Sequence, residues 1–339
     1  MAHMDIFNDD AFSLVSMTAA VERMPTVPTF LGSLNLFESE GITTNIASIE
    51  QVGNTLSLIQ TSQRGTEPGS GVTDKRSMRN FNIPRIAKKD QVFAAEIQGI
   101  RAFGTESELE TVVQKVAQKQ AKLLRDVVLT LEYHRLGAIQ GILLDADGST
   151  LYNYFTEFGI SQPAEIDFDL DNASPTRGAL MAKVKQVKRT IIRALGQAAP
   201  GIRIIALCGD TFFDQFTSHS EVEKTYLNWQ AAEALRAGEV FSSFRWGGID
   251  WVNYQGTDDN STVAIGADKV KFIVQGVPGL FRRINGPGET FETVNTIGRD
   301  LYSMLVRDEK RNMWVQPEVY AYPLHICTRP EVLLRGRNT

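Results

Sequence analysis

Histidines, cysteines and carboxylates decide first what reactions a chain can host. Here the four histidines are His3, His134, His219 and His325, and the two cysteines are Cys208 and Cys327. No pair of histidines has the His-Glu-x-x-His spacing that sets two imidazoles on one helix face around zinc, and no Cys-x-x-Cys occurs. His3 lies in Met1-Ala2-His3-Met4, which reads as a vector remnant before Met4. Each cysteine lies in an apolar run, so both read as buried thiols of a reducing compartment rather than a disulfide framework. Phosphate chemistry has no better support, since neither a dinucleotide fingerprint nor a P-loop is present. Gly69-Ser70-Gly71, next to Pro68 and Thr73, reads as a flexible loop tip. No Gly-x-Ser-x-Gly nucleophile elbow occurs.

The carboxylates are equally plain. Asp145-Ala146-Asp147-Gly148 lacks the glycine and distal glutamate of a calcium loop, and its apolar flanks make it a hairpin turn. Glu165, Asp167, Asp169 and Asp171 alternate with Ile166, Phe168 and Leu170, the pattern of an exposed strand or loop face. Gly209-Asp210 follows an apolar strand and opens a helix, so Asp210 is an N-cap candidate in a generic anion-binding arrangement. Lys183, Lys185, Lys188, Arg189 and Arg193 fall on one helix face, read as solvated. His325, between Leu324 and Ile326, reads as a hydrogen-bonded strand histidine. No catalytic, cofactor-binding or metal-ligating residue is assigned, and no enzyme is expected.

Composition narrows the classes further. With 339 residues, 42% of them hydrophobic, the chain can bury a large core in two domains or one domain with insertions. Thirty-five basic against forty acidic residues give a charge of -5, which argues against a general basic surface for nucleic acid. No apolar stretch approaches the ~20 residues of a membrane span.

Periodicity places the elements. Asp9 to Val21 could form a short helix, broken by Pro25 and Pro28. Phe30 to Phe37 looks extended and apolar, an arm that must bury against something, such as a neighbouring subunit. Thr43 to Val52 and Thr55 to Ile59 are rich in strand formers, and Phe81-Asn82-Ile83-Pro84 is extended again. Between them Gln63 to Asn80 holds Gly65, Pro68, Gly71, Lys75, Arg76 and Arg79, giving a hairpin with a polar, cationic tip that has no core of its own. Residues 105 to 140 are a long helix opened by a Thr105/Glu108 capping box and closed at Gly141. Lacking a strict heptad, it reads as a spine across a sheet. Residues 142–155 form a small hairpin and Ser174-Pro175 starts a second helix. Ile202 to Cys208 is a strand buried on both faces, Glu221 to Ala237 a helix, and Val240–Phe244 with Ile249–Tyr254 a hairpin turning at Arg245-Trp246-Gly247-Gly248. Residues 175 to about 275 thus make a compact α/β block. Gly276 to Gly288 is irregular, and Leu301–Arg307 and Met313–Cys327 are strands.

This order resembles the lambda-type major capsid protein family of tailed phages and prophages, called major capsid protein E. The resemblance spans nearly the whole chain. It is carried by Phe30-Leu31-Gly32-Ser33-Leu34-Asn35-Leu36-Phe37 with the hairpin and long helix after it, then by Val263-Ala264-Ile265-Gly266 and Gly276-Val277-Pro278-Gly279-Leu280-Phe281. Met313 to Leu324 and Cys327-Thr328-Arg329-Pro330-Glu331-Val332 complete it. It implies the Hong Kong 97-like capsid fold of α+β class. By analogy the N-terminal arm is 1–41, the E-loop 42–95, the peripheral domain with the spine helix 96–174, the axial domain 175–299, and the C-terminal peripheral strands 300–339. It also implies a structural subunit forming pentamers and hexamers in an icosahedral head around double-stranded DNA, without a membrane. Scaffolding, decoration and portal proteins would be its partners, the host bacterial cytoplasm its place of assembly and the virion its destination. No cofactor follows, and neither Lys75 nor Lys88 can be assigned to a cross-link. Two rivals stand beside this reading: an encapsulin-like compartment shell, and a soluble α/β enzyme using the Lys183–Arg193 face and the Asp210 turn.

Overall fold

The structure, a computed structural model, describes residues 17–18, 29–52, 76–97, 112–172, 174–196, 201–223, 243–255 and 263–338. Most of the helix expected at 9–21, the hairpin tip through Lys75, the capping box at Thr105 and most of the helix expected at 221–237 lie outside these residues.

In chain order, a helical turn at Phe30–Ser33 leads into β1 (Glu38–Gly41), and the hairpin strands β2 (Ile46–Val52) and β3 (Arg76–Asn82) follow. Next come β4 (Ile86–Lys89), β5 (Val92–Phe93), a turn of helix at Ala94–Ile97 and the long helix Val112–Gln140. The small hairpin β6 (Ile142–Leu144) and β7 (Thr150–Asn153), the turn Tyr154–Glu157 and β8 (Ile166–Asp167) precede the helix Ala179–Leu195. Then β9 (Arg203–Cys208), the helix Asp210–Ser218, β10 (Ser243–Trp246), β11 (Ile249–Asn253) and β12 (Lys269–Gln275) build the central block. The chain ends with β13 (Phe281–Asn285), β14 (Tyr302–Arg307), β15 (Trp314–Ala321), β16 (Pro323–Cys327), a 3-10 turn at Pro330–Val332 and β17 (Arg335–Arg337).

The largest sheet is six-stranded, ordered β10-β11-β9-β12-β17-β8, and it takes two strands from outside residues 175–299. β9 lies inside it, parallel to β11 and antiparallel to β12, which explains its unbroken apolar run from Ile204 to Cys208. Against it Phe216 stacks on Trp251 at 4.0 Å between ring centroids, with Phe212, Phe168 and Phe272 around the same indole. A three-stranded sheet (β1-β13-β16) and a four-stranded sheet (β14-β15-β4, with β5 also paired to β15) complete the body. The chain crosses between them at Tyr322, where β15 ends in one sheet and β16 begins in the other.

The helix Val112–Gln140 has 29 residues and is roughly 44 Å long at ~1.5 Å per residue. Leu123, Val127 and Leu131 pack on Val319 and Ala321 of β15. Farther along, Leu136 and Ile139 enter the main core, while Ala138 enters a second cluster with Leu143, Phe81 and Leu324. One rod therefore joins three apolar clusters, as a spine should. It stops at Gly141, whose φ of +81° suits glycine, and a Cβ there would fall 2.4 Å from the Phe155 ring.

Several expectations are corrected. Phe30–Phe37 is not an extended arm seeking a neighbour: it makes a helical turn and buries in its own body. Leu31 is in the main core, Phe30 meets Tyr254 edge-on at 5.9 Å, and Phe37 meets Phe281 at 5.4 Å. The spacing of Phe30, Leu31 and Leu34 is one helical turn, which explains the difference. Leu151–Phe155 is not one strand, because Asn153 Oδ1 accepts from the Phe155 and Thr156 amides and caps a helical turn. The second helix begins at Ala179 rather than at Ser174-Pro175; its open amides are met by Glu221, whose carboxylate accepts from Gly178 N–H at 2.8 Å and Met181 N–H at 3.3 Å. Asp210 is not the N-cap: Gly209 holds that place because a Cβ there would sit 2.2 Å from the Gly266 carbonyl, and Asp210 falls in the first turn. Within the stretch read as irregular, Phe281–Asn285 is the central strand of its sheet.

Trp251→Ala removes the centre of the aromatic cluster and should cost about 3–5 kcal/mol. The exposed Lys185→Ala should stay within about 0.5 kcal/mol. Urea denaturation checks both, and equal effects would contradict the placement of the core.

Candidate assembly surfaces

The β2–β3 hairpin is the first surface. Its register runs from Ile46 opposite Asn82 to Val52 opposite Arg76, seven residues on each strand. One face is anchored: Ala47, Ile49 and Phe81 are buried, and the Phe81 ring meets Tyr152, Tyr154 and Phe158 at 5.4, 6.2 and 6.0 Å. Arg79 lies over the Phe158 ring at 5.5 Å, and the Tyr152 hydroxyl donates to the Asn82 carbonyl at 2.8 Å. The other face exposes Ile46 and Met78. Among the described residues neither strand pairs with a third strand. A two-stranded ribbon is marginal on its own, so its base must be held by the body while its edges stay open for pairing.

The second feature is a buried polar seam where the segment at 29–41 meets the long helix. Glu132 is buried, accepts from the Leu31 amide at 2.7 Å and pairs with Arg135 at 3.1 Å. Arg135 also reaches Thr29 Oγ1 at 3.4 Å. Below this, Arg283 lies 3.5 Å from Asp300, which also accepts from Ser39 and Asn285. Two histidines that are distant in sequence meet here, with ring centroids of His134 and His325 6.4 Å apart and the Phe37 ring edge-on to His325 at 5.1 Å. The expectation of a hydrogen-bonded His325 is corrected, because none of the four ring nitrogens has a partner among the described residues. The chain brings the strand and helix together for their apolar neighbours and takes both imidazoles with them. Burial pushes His134 down to about 4, partly opposed by Asp145. Burial and the charges of Arg283 and Arg135 hold His325 well below its ordinary value, so both rings are neutral at pH 7.

None of this offers reactive chemistry. Burial pushes both thiols up, Cys327 to about 12, which leaves little thiolate at neutral pH. Among the described residues no group of three His, Cys, Asp or Glu could hold a metal ion, and no helix is long and apolar enough to cross a membrane. The His219 ring accepts from the Glu221 amide at 3.3 Å, and His3 lies outside the described residues. Asp145 and Asp147 accept backbone amides of their own turn, closed by Gly148 at φ +84°. Glu165 pairs with Lys269 at 3.3 Å, Asp167 with Arg337 at 4.0 Å, and Asp169 accepts from Asn172 at 3.1 Å. On the basic helix Lys185, Arg189 and Arg193 are exposed, and Lys188 lies 3.4 Å from the Gly247 carbonyl. Beside β14 and β15 there is a cavity of about 230 Å³ lined by Tyr302, Tyr320, Tyr322 and the buried Glu318. Burial raises the Tyr320 and Tyr322 phenols, Tyr322 to about 12, so they stay protonated at neutral pH. Sequence reading missed both, since the seam joins segments a hundred or more residues apart and the cavity forms only where β14, β15 and the loop before β14 fold against one another.

The seam sets a pH dependence. An unfolded imidazole titrates near 6.5 and folded His134 at about 4, so the folded state binds fewer protons between those values. Its stabilisation is complete above about 6.5 and is lost as the pH falls through that window towards 4, with His325 acting in the same direction. Urea midpoints at pH 7.5, 5.5 and 4.5 should fall steadily for the native chain and less steeply for His134→Gln. Parallel declines would contradict the seam's role.

Comparison with known proteins bears on what these surfaces serve. The family model described as phage major capsid protein E matches residues 13–338. The chain is 25% identical over 357 residues to the major capsid protein of Salmonella phage Felix O1 (isolate Felix O1-VT1), covering 96% of each. It is 25% identical over 348 residues to the major capsid protein of Pseudomonas phage KPP10, covering 96% of this chain and 97% of that one. Among solved structures it is similar to the putative capsid protein of a prophage (E. coli CFT073), with a TM-score of 0.56, 10% identity and coverage of 96% and 99%. The mature capsid of bacteriophage PhiM1 is similar too, with a TM-score of 0.53, 11% identity and coverage of 93% and 89%. At such identities these two carry the fold alone, which is the Hong Kong 97-type capsid fold. With the family match running from residue 13 to residue 338, the chain belongs to the phage major capsid protein E family and is a structural shell subunit of the tailed-phage kind, not an enzyme.

Proposed function

We propose that copies of this chain assemble through their hairpins into an icosahedral head of pentamers and hexamers that encloses double-stranded DNA. The observation that carries the reading is the β2–β3 hairpin: buried on its own body at the base, yet with both strand edges open among the described residues. Open edges at the end of a braced arm suit addition to another copy. In the proposed division, residues 1–41 are the N-terminal segment, whose stretch 30–37 packs on its own body, 42–95 the E-loop, 96–174 and 300–339 the peripheral domain, and 175–299 the axial domain. β8 and β17 lend two strands to the axial sheet from the peripheral segments. Assembly takes place in the host bacterial cytoplasm, with scaffolding, decoration and portal proteins as partners, and the subunit ends in the virion. With a charge of -5, confinement and counterions would retain DNA more than broad cationic contact.

Replacing residues 53–75 by a short Gly-Ser link should leave the body folded, with an unchanged circular dichroism spectrum, and abolish shells in negative stain. The unaltered chain should form closed shells. Shells of normal yield from the shortened chain would contradict the hairpin's role, and native particles holding protein cargo and no nuclease-resistant DNA would contradict the DNA container.

A further inference from the structure

The loop between β13 and β14 carries an apolar display that the fold does not use. Phe291 is fully exposed at 104% of its reference area, and Ile297 and Val294 are exposed at 68% and 47%. The display is rigid. Val294 N–H donates to the Thr290 carbonyl at 2.8 Å, the Thr290 and Thr293 hydroxyls meet at 2.8 Å, and Thr296 Oγ1 donates to the Thr293 carbonyl at 2.7 Å. Gly298 N–H donates to the Ile42 carbonyl at 3.0 Å, and a Cβ at Gly298 would fall 2.0 Å from the Asn285 carbonyl oxygen. The loop is thus tied to the chain just after β1, packs closely on β13 and holds the ring of Phe291 out in water.

The same loop forms the rim of a hole. Thr290 and Thr293 line the cavity of about 230 Å³ with Tyr302, Tyr320, Tyr322 and Met304, and with Glu289 and Glu318, whose carboxylates are engaged by Arg85 and by Gln316 and Tyr320. An apolar cavity of roughly 150 Å³ already accepts a benzene ring. Phe291 stands between two rim residues and points to solvent, so among the described residues the hole is left open.

We propose that Phe291 seats in the tyrosine-walled cavity of a second copy of this chain. The inference rests on the shell reading above and names a contact within it. Knob and hole share one loop, so the exchange closes when copies are related by a rotation axis. A buried phenylalanine covers about 150–250 Å². Even reciprocal burial with Val294 and Ile297 falls short of the roughly 1,200–2,000 Å² of a stable interface. The contact therefore cannot hold a free dimer and works between copies that other contacts have already brought together.

The test uses the full chain. Phe291→Ser should leave the subunit's thermal midpoint unchanged, because the ring is fully exposed, and cut the yield of closed shells at least tenfold. Placing the photoreactive p-benzoylphenylalanine at position 291 in assembled particles should give a covalent dimer on irradiation, joined to peptides carrying Met304 or Tyr320. Normal shell yield from Phe291→Ser, a dimer joined through residues 53–75, a cross-link to another protein, or no dimer from intact particles would each overturn the contact and leave the shell reading standing. Failure of the unaltered chain to form particles would overturn both.

Discussion

The long helix Val112–Gln140 is the constraint on which the other parts depend. Its middle lies on β15, and its last turns enter two further apolar clusters shared with β9, β16 and the small hairpin. Moving the helix by one residue would rotate Leu123, Val127 and Leu131 off the sheet and would carry Ala138 out of the space left between Phe81 and Leu324. The anchored hairpin, the crossing from β15 to β16 and the segment at 29–41 are all positioned by that single register.

At the same helix the apolar logic is interrupted by charge. Glu132 and Arg135 sit among buried side chains and satisfy one another and the Leu31 amide. Breaking such a pair by removing one partner is expensive, because it strands a charge in a poorly solvated place. The seam therefore acts less as a source of stability than as a lock on where residues 29–41 may lie. The neutral imidazoles of His134 and His325 share the space, and their depressed proton affinity is the sign of burial, reinforced at His325 by the charges of Arg283 and Arg135.

Much of this was readable in the amino-acid order because it is local. The helical repeat through Leu124, Val127 and Leu131, the stop at Gly141, the Asp147-Gly148 and Gly247-Gly248 turns and the doubly buried run Ile204–Cys208 each follow from nearest-neighbour physics. The misreadings are non-local. Phe30–Phe37 shows an apolar segment but not whose core it fills, and here that core is its own. Glu221 capping a helix that starts at Ala179, the meeting of His134 with His325, and a cavity built from Gly288 to Tyr322 all arise only when distant strands come together. Likewise β8 and β17 are too short to show which sheet they will join. The hairpin is evident from its strand formers and cationic middle, because a stretch such as Ser62 to Gly71, with no large apolar residue, cannot be mistaken for core.

Among the described residues the chain thus keeps its histidines and cysteines buried or hydrogen-bonded and leaves to its surface open strand edges and the fully exposed ring of Phe291. The central claim is that such surfaces meet copies of the same chain. A cryo-EM reconstruction of purified particles tests it most directly. It should show a closed icosahedral shell in which residues 46–82 of each subunit extend onto an adjacent subunit. Particles in which that segment touches only its own body, or a chain that stays monomeric at every concentration and salt, would contradict the account.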